Sequence, residues 1–150
     1  MDSISLWISI GSAVLAFLAA GFSIYTFVWN VIHDKKRDTL DAYNTLQEQA
    51  LDLLYEYNEK QIRYIVENHE KDEYRNISKY LARIEHFAVG VNNNIYDRKT
   101  VYELSHGFLD TRIWNTVQPI LEQKQNGRED YYSDYRELVT WMQSQKKDKS

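Results

Sequence analysis

The chain has 150 residues, a net charge of −4, no cysteine and one proline. Absence of cysteine excludes disulfides, zinc–thiolate sites and thiol catalysis, and the negative charge excludes a nucleic-acid binder that works by bulk electrostatics. A composition of 43% hydrophobic and 27% charged residues conceals a very apolar head joined to a polar body.

The head is Leu6 to Ile32, twenty-seven residues without a charged side chain. A helix rises about 1.5 Å per residue, so about 20 apolar residues cross a hydrocarbon core about 30 Å thick. Trp7 and Trp29 then lie about 33 Å apart, where two membrane interfaces hold amphipathic indoles. Asp2 precedes the run, and Lys35, Lys36 and Arg37 follow it. A secretory signal has the opposite flanks, and this run continues well past the small residues Ala16, Ala19 and Ala20. The expectation is a retained single-pass anchor in the inner membrane, with the N-terminus outside and residues 33 onward in the cytoplasm. Trp7, Trp29, Lys35, Lys36 and Arg37 are its membrane-interface residues. Ser9, Ser12, Ala13, Ala16, Ala19, Ala20 and Ser23 fall close to one stripe, which permits close helix contact and a homo-oligomer. The ordinary richness of membrane helices in Gly, Ala and Ser accounts for the same stripe without self-association.

About 118 residues remain beyond the span, enough for one small domain. Asp38 to about Asn68 carries Leu40, Tyr43, Leu46, Ala50, Leu53, Leu54 and Tyr57 at a period near 3.5, without Gly or Pro. The spacing predicts one amphipathic helix running on from the membrane helix, either a short parallel coiled coil or a face packed on its own domain. His69 to Glu73 reads as a turn or a solvated helix edge. Ile77, Leu81, Ile84, Phe87 and Ala88 predict a helix from Tyr74 that ends at Gly90. Asn92, Asn93 and Asn94 make a loop, and Asp97 is placed to cap the next helix.

From Arg98 the apolar spacing is helical through Leu121 but contains Gly107 and Pro119. Proline removes a backbone donor, so the helix either kinks at Pro119 or restarts there. Gln125, Asn126 and Gly127 close it, and Glu129 to about Gln143 makes the last helix, with residues 144–150 a flexible tail. The fold class is therefore all-α: a membrane anchor over residues 1–32 and a cytosolic bundle of about four helices over 33–143.

Nothing in the sequence forms a nucleophile elbow, a Walker loop or a dinucleotide fingerprint. Glu103 and His106 match one Glu-x-x-His pair, whereas a di-iron bundle needs two. His86, beside Glu85, reads as a buried polar contact or a metal ligand, with the buried contact preferred. No catalytic residue, metal site or cofactor is expected. The binding candidates are arginines mixed with aromatics and one acid: Arg75, Tyr80, Arg83, Glu85, Arg112, Trp114, Arg128 and Tyr132. Guanidinium groups grip phosphate or carboxylate and rings stack on bases, so these side chains suit a small anionic ligand. Tyr, Trp and Arg equally dominate protein interfaces, and they also serve as internal pairs and half-buried core edges.

The order of a single span, a basic flank, Arg75, the run Tyr80 to Gly90, Trp114, Pro119 and the stretch Arg128 to Tyr132 resembles small bacterial membrane-anchored proteins with a helical domain of unknown function. The resemblance implies an all-helical cytosolic domain on a one-pass anchor and implies no activity. Two functions fit these residues. One is a self-associating membrane-anchored interaction or scaffold module with a cytosolic protein partner. The alternative is a signal-gated membrane effector of a bacterial defence system, whose oligomeric cytosolic domain binds a small, nucleotide-like anion and perturbs the bilayer.

Overall fold

A computed structural model describes residues 3–68, 70–105, 107–124 and 131–147, with side chains from residue 7 and excluding those of 123 and 124. Every described element is helical. The chain divides into two compact units, residues 1–35 and 36–150, and helix α1 (Ser3–Leu46) contributes to both.

The first unit is a bare helix. Its most apolar window has no buried share, and this is the one described helix long and apolar enough to cross a membrane. Phe17 is 80% exposed and Trp7 72%, part of a contiguous apolar surface along this helix. Two hydroxyls of its second half bond back to the helix: Ser23 Oγ donates to Ala19 O at 2.8 Å, and Thr26 Oγ1 to Phe22 O at 2.9 Å. Tyr25, Trp29 and His33 form a ladder of rings with centroids 6.2 and 4.9 Å apart.

In the second unit the end of α1 buries Thr39, Tyr43 and Leu46. A π turn, Gln47–Leu51, follows and leads into the short helix α2 (Asp52–Tyr55). The extra residue in that turn advances the register, so Leu51 and Leu54 are wholly buried while Leu53 is 38% exposed. The single helix expected over 38–68 is thus interrupted twice. The second break comes where Asn58 caps helix α3 (Glu59–Glu67) in a reciprocal capping box: Gln61 N donates to Asn58 Oδ1 at 3.0 Å, and Asn58 N to Gln61 Oε1 at 2.9 Å. Helix α3 packs Ile62 and Ile65 against helix α6 (Trp114–Lys124).

Helix α4 (Lys71–Asn92) begins three residues before the expected start, with Asp72 and Glu73 in its first turn, where the helix dipole favours acids. It buries Ile77, Leu81, Ile84, Phe87, Ala88 and Val91 and packs against helix α7 (Ser133–Lys147). Gly90 does not end it. The glycine lies inside the helix because a Cβ there would come within 2.5 Å of the Tyr96 ring, which instead lies flat on Phe87 at 5.3 Å. The left-handed position falls later, at Asn94 with φ 61°.

Asp97 caps helix α5 (Arg98–Ser105) as expected: Thr100 N donates to its Oδ2 at 2.9 Å, and Asp97 N donates to the buried Thr39 Oγ1 at 2.7 Å. The interruption expected at Pro119 occurs earlier, at Gly107, whose φ of +82° starts a second π segment, Phe108–Ile113. Pro119 lies within α6, six residues into it. Residues 125–130 lie outside the described residues, and with them Arg128 and the expected Gln125–Gly127 stop.

Helix α7 continues to Lys147, four residues past the expected end. Its last turn is held because Lys146 Nζ lies 2.7 Å from Oδ2 of Asp110, a carboxylate with no exposed surface. Tyr135, wholly buried, donates its hydroxyl to Leu109 O at 2.7 Å. Burial, with the Asp110 charge behind it, pushes that phenol well above its usual range, so it remains a donor.

Valine and glycine are close in helix propensity, so Gly90→Val isolates the contact with Tyr96. The substitution is expected to lower stability by about 2 kcal/mol, the cost of overpacking. In thermal unfolding followed by circular dichroism, the loss should shrink to less than half in a Tyr96→Ala background.

Candidate functional site

The outward face of α4 follows from the same periodicity that forms its core. Ile77, Leu81, Ile84 and Ala88 point inward, so Arg75, Lys79, Ala82 and His86, at spacings of four, three and four, share the opposite face. Lys79, Ala82, Arg83 and His86 are all exposed. A groove runs along each side of this face. The larger, about 590 Å³, lies between α4 and the end of α1 with its π turn, and is lined by Leu46, Gln49, Lys79, Arg83, His86 and Tyr96 among others. The second, about 480 Å³, faces the start of α7, where Arg75, Glu85, Tyr131 and Tyr132 line it together with Lys79 and His86. Lys79, Ala82 and His86 border both.

Glu85 is the one carboxylate among the described residues of these walls, and its partners show what it does. Oε2 accepts from Tyr135 N at 2.8 Å and Oε1 from Asp134 N at 3.1 Å, so Glu85 reaches across from α4 to satisfy free amides at the start of α7. Burial pushes its carboxyl above the usual glutamate value; the amides of Tyr135 and Asp134 pull it back, and the Asp134 charge adds to the rise. Asn92 Nδ2 reinforces the junction, donating to Asp134 O and Oδ1 at 3.0 Å each. Burial pushes the Tyr132 phenol up to about 12, so it is neutral and can donate.

The other candidates are distributed over the domain. Arg83 bonds Gln49 across the larger groove. Arg75 pairs with Asp72 at 3.3 Å, both well exposed. Tyr80 packs against the core edge. Arg112 lies over the Tyr55 ring at 5.2 Å, and Trp114 meets Tyr135 edge-on at 5.2 Å. Arg75, Glu85 and Tyr132 therefore share one groove, Arg83 lines the other, and Arg112 and Trp114 belong to neither. Arg128 lies outside the described residues.

His86 corrects the expectation of a buried contact: it is exposed, on the face opposite the core. His106 and His69 lie outside the described residues, and Glu103 pairs with Lys99 at 3.9 Å. Among the described residues no cluster of three or more His, Asp or Glu could hold a metal ion. Trp7 and Trp29 are exposed on the first unit, as is Lys36 at the start of the second; Lys35 is half-buried and Arg37 exposed, and both make contacts.

Sequence reasoning passed over Lys79, although Arg75-x3-Lys79-x6-His86 is a legible one-face spacing. It also passed over the Asp110–Lys146 pair, whose partners are thirty-six positions apart and have no local signal.

These features define an all-α protein in which one long, exposed apolar helix accompanies a helical domain. The family model described as DUF4760, a domain of unknown function, matches residues 13–142, and the chain belongs to that family. No curated protein and no solved structure matches it.

Glu85→Gln replaces one of the two amide acceptors with a donor and is expected to cost about 1 kcal/mol. The raised carboxyl also sets a pH dependence. The folded state keeps the Glu85 proton to higher pH than the unfolded chain does, so this group's contribution to stability falls as pH rises from the usual glutamate value through the raised one. In urea titrations across that window, the stability of the natural chain relative to Glu85→Gln should narrow with rising pH; a widening difference would contradict the assignment.

Proposed function

We propose that this chain is a single-pass, membrane-anchored interaction module that self-associates and presents the helical domain of residues 36–150 to a protein partner in the cytoplasm. The observation that carries the reading is the first unit: Leu6 to Ile32 has no charge, and the side chains described there are almost all exposed. Burying such a surface is worth about 25 cal/mol per Å², so water is not its resting neighbour. Ser23 and Thr26 return their hydroxyls to the helix, which suits a medium that offers no hydrogen bonds. Lys35, Lys36 and Arg37 after the run, against Asp2 before it, support an N-terminus outside and a domain inside. The small-residue stripe supports self-association through close backbone approach.

In the domain, the polar residues best suited to chemistry have structural partners. Glu85 caps α7, Asp110 holds Lys146, and Arg98 lies over Trp141 at 4.8 Å while donating to Asn92. That pattern supports an interaction role without catalysis.

A second reading, the signal-gated membrane effector of a defence system that responds to a small anion, is favoured by one observation. The outward face of α4 collects Arg75, Lys79, Arg83 and His86 on a chain of net charge −4.

The chain's lack of cysteine makes the anchor directly testable. Single Ser3→Cys and Asn44→Cys variants in inverted and right-side-out vesicles should react with a membrane-impermeant maleimide from opposite sides, Ser3→Cys from outside. Reaction of both from one side would sink the single-pass reading. Light scattering of the detergent-solubilised chain should give more than one copy per particle, and a strict monomer would remove self-association.

A further inference from the structure

Among the described residues, four basic side chains and one carboxylate line the two grooves beside α4. That carboxylate, Glu85, directs both oxygens to backbone amides of α7 and so makes no ion pair with the basic side chains. Arg83 is bonded to a neutral amide, Gln49, and keeps its charge uncompensated. Arg75 meets only the highly exposed Asp72, a pair of little strength in water. Lys79 and His86 have no hydrogen-bond or ion-pair partner among the described residues.

Between Lys79 and His86 the helix presents Ala82, whose methyl group leaves room for a ligand to settle against the helix. Aromatic rims stand on both sides: Tyr96 stacked on Phe87, and Tyr131 beside Tyr132. Lys79 and Arg83 are one turn apart, about 6 Å along the axis. A tetrahedral phosphate offers oxygens in several directions and can engage both, whereas a planar carboxylate matches a single guanidinium.

We propose that the outward face of α4, centred on Ala82 and formed by Lys79, Arg83 and His86 with Arg75 at its end, is a binding site for a phosphate group. The class of ligand rests on the second reading of function above; the location rests on the geometry of α4 alone. The phosphate is carried by a soluble nucleotide or by an anionic phospholipid headgroup, and Tyr132 lines the groove at the α7 side.

The full chain in phosphatidylcholine nanodiscs is titrated calorimetrically with ATP, inorganic pyrophosphate and the soluble headgroup glycerophosphoglycerol. Saturable binding of at least one probe is expected. It should weaken about tenfold or more in Lys79→Ala/His86→Ala and in Lys79→Glu/Arg83→Glu, since each charge-assisted contact is worth about a factor of ten. Arg63→Ala, which removes an exposed cation elsewhere, should leave the affinity unchanged. All the substituted side chains are exposed, so thermal unfolding should match the natural chain. A preference for ATP assigns a nucleotide, and a preference for glycerophosphoglycerol assigns a lipid headgroup. No saturable binding of any probe, or equal loss in Arg63→Ala, overturns the site. Dye release from vesicles separates the two proposals. Binding without release upholds the site and removes the effector reading, whereas ATP-dependent release that Lys79→Glu/Arg83→Glu leaves intact overturns the site and spares that reading.

Discussion

Within the unit of residues 36–150, helix α4 packs against α7, the first π turn, α2, α3 and α5. One face supplies Ile77, Leu81, Ile84 and Ala88 to the core, all without exposed surface. The edge of that face supplies Glu85, whose two oxygens fix the first turn of α7. The interaction is directional where the core is not: apolar burial holds α7 against α4, and the two amide bonds set where along α4 it begins. The Asp110–Lys146 pair then closes the far end of α7 onto the second π segment. Removal of the lysine would leave a buried carboxylate uncompensated, a far larger loss than a surface ion pair implies.

That arrangement separates the polar residues of the domain into two groups. Glu85, Asp110, Arg98 and Thr39 are engaged internally, and each positions one segment against another. Lys79, Arg83 and His86 face outward, with little in the fold that depends on them. A surface that stability does not require can be shaped by what it binds. On the proposed reading the membrane helix makes the same separation in another solvent, with the Ser23 and Thr26 hydroxyls turned back to the backbone and the apolar side chains outward.

Much of the fold was legible because periodicity survives in the residues themselves. The apolar spacing of α4 and α7 and the Asp97 cap are local patterns, and the structure has them. The breaks were less legible. Helix α1 gives way to a π turn where no Gly or Pro marks it, because both Ala50 and Leu51 are drawn into the core, and that preference exists only once the core does. Gly90 carried a strong stop signal, yet its missing side chain serves the Tyr96 ring, six residues on. Pro119 carried a strong kink signal, and the interruption fell at Gly107. Of the candidate binding residues, Arg75, Tyr80, Arg83 and Glu85 lie on α4, whereas Arg112 and Trp114 lie at the second π segment and the start of α6. Those two are engaged by Tyr55 and Tyr135, contacts that bring together residues tens of positions apart.

The claim on which the rest turns is that Glu85 is a structural cap, which leaves the basic face of α4 as the open chemistry of the domain. Amide hydrogen exchange at Asp134 and Tyr135 tests it most directly. In the full chain both amides should exchange far more slowly than in an unfolded peptide, and Glu85→Ala should release them selectively while the core of α4 stays protected. Equal, rapid exchange of the two amides in the natural chain would contradict the account.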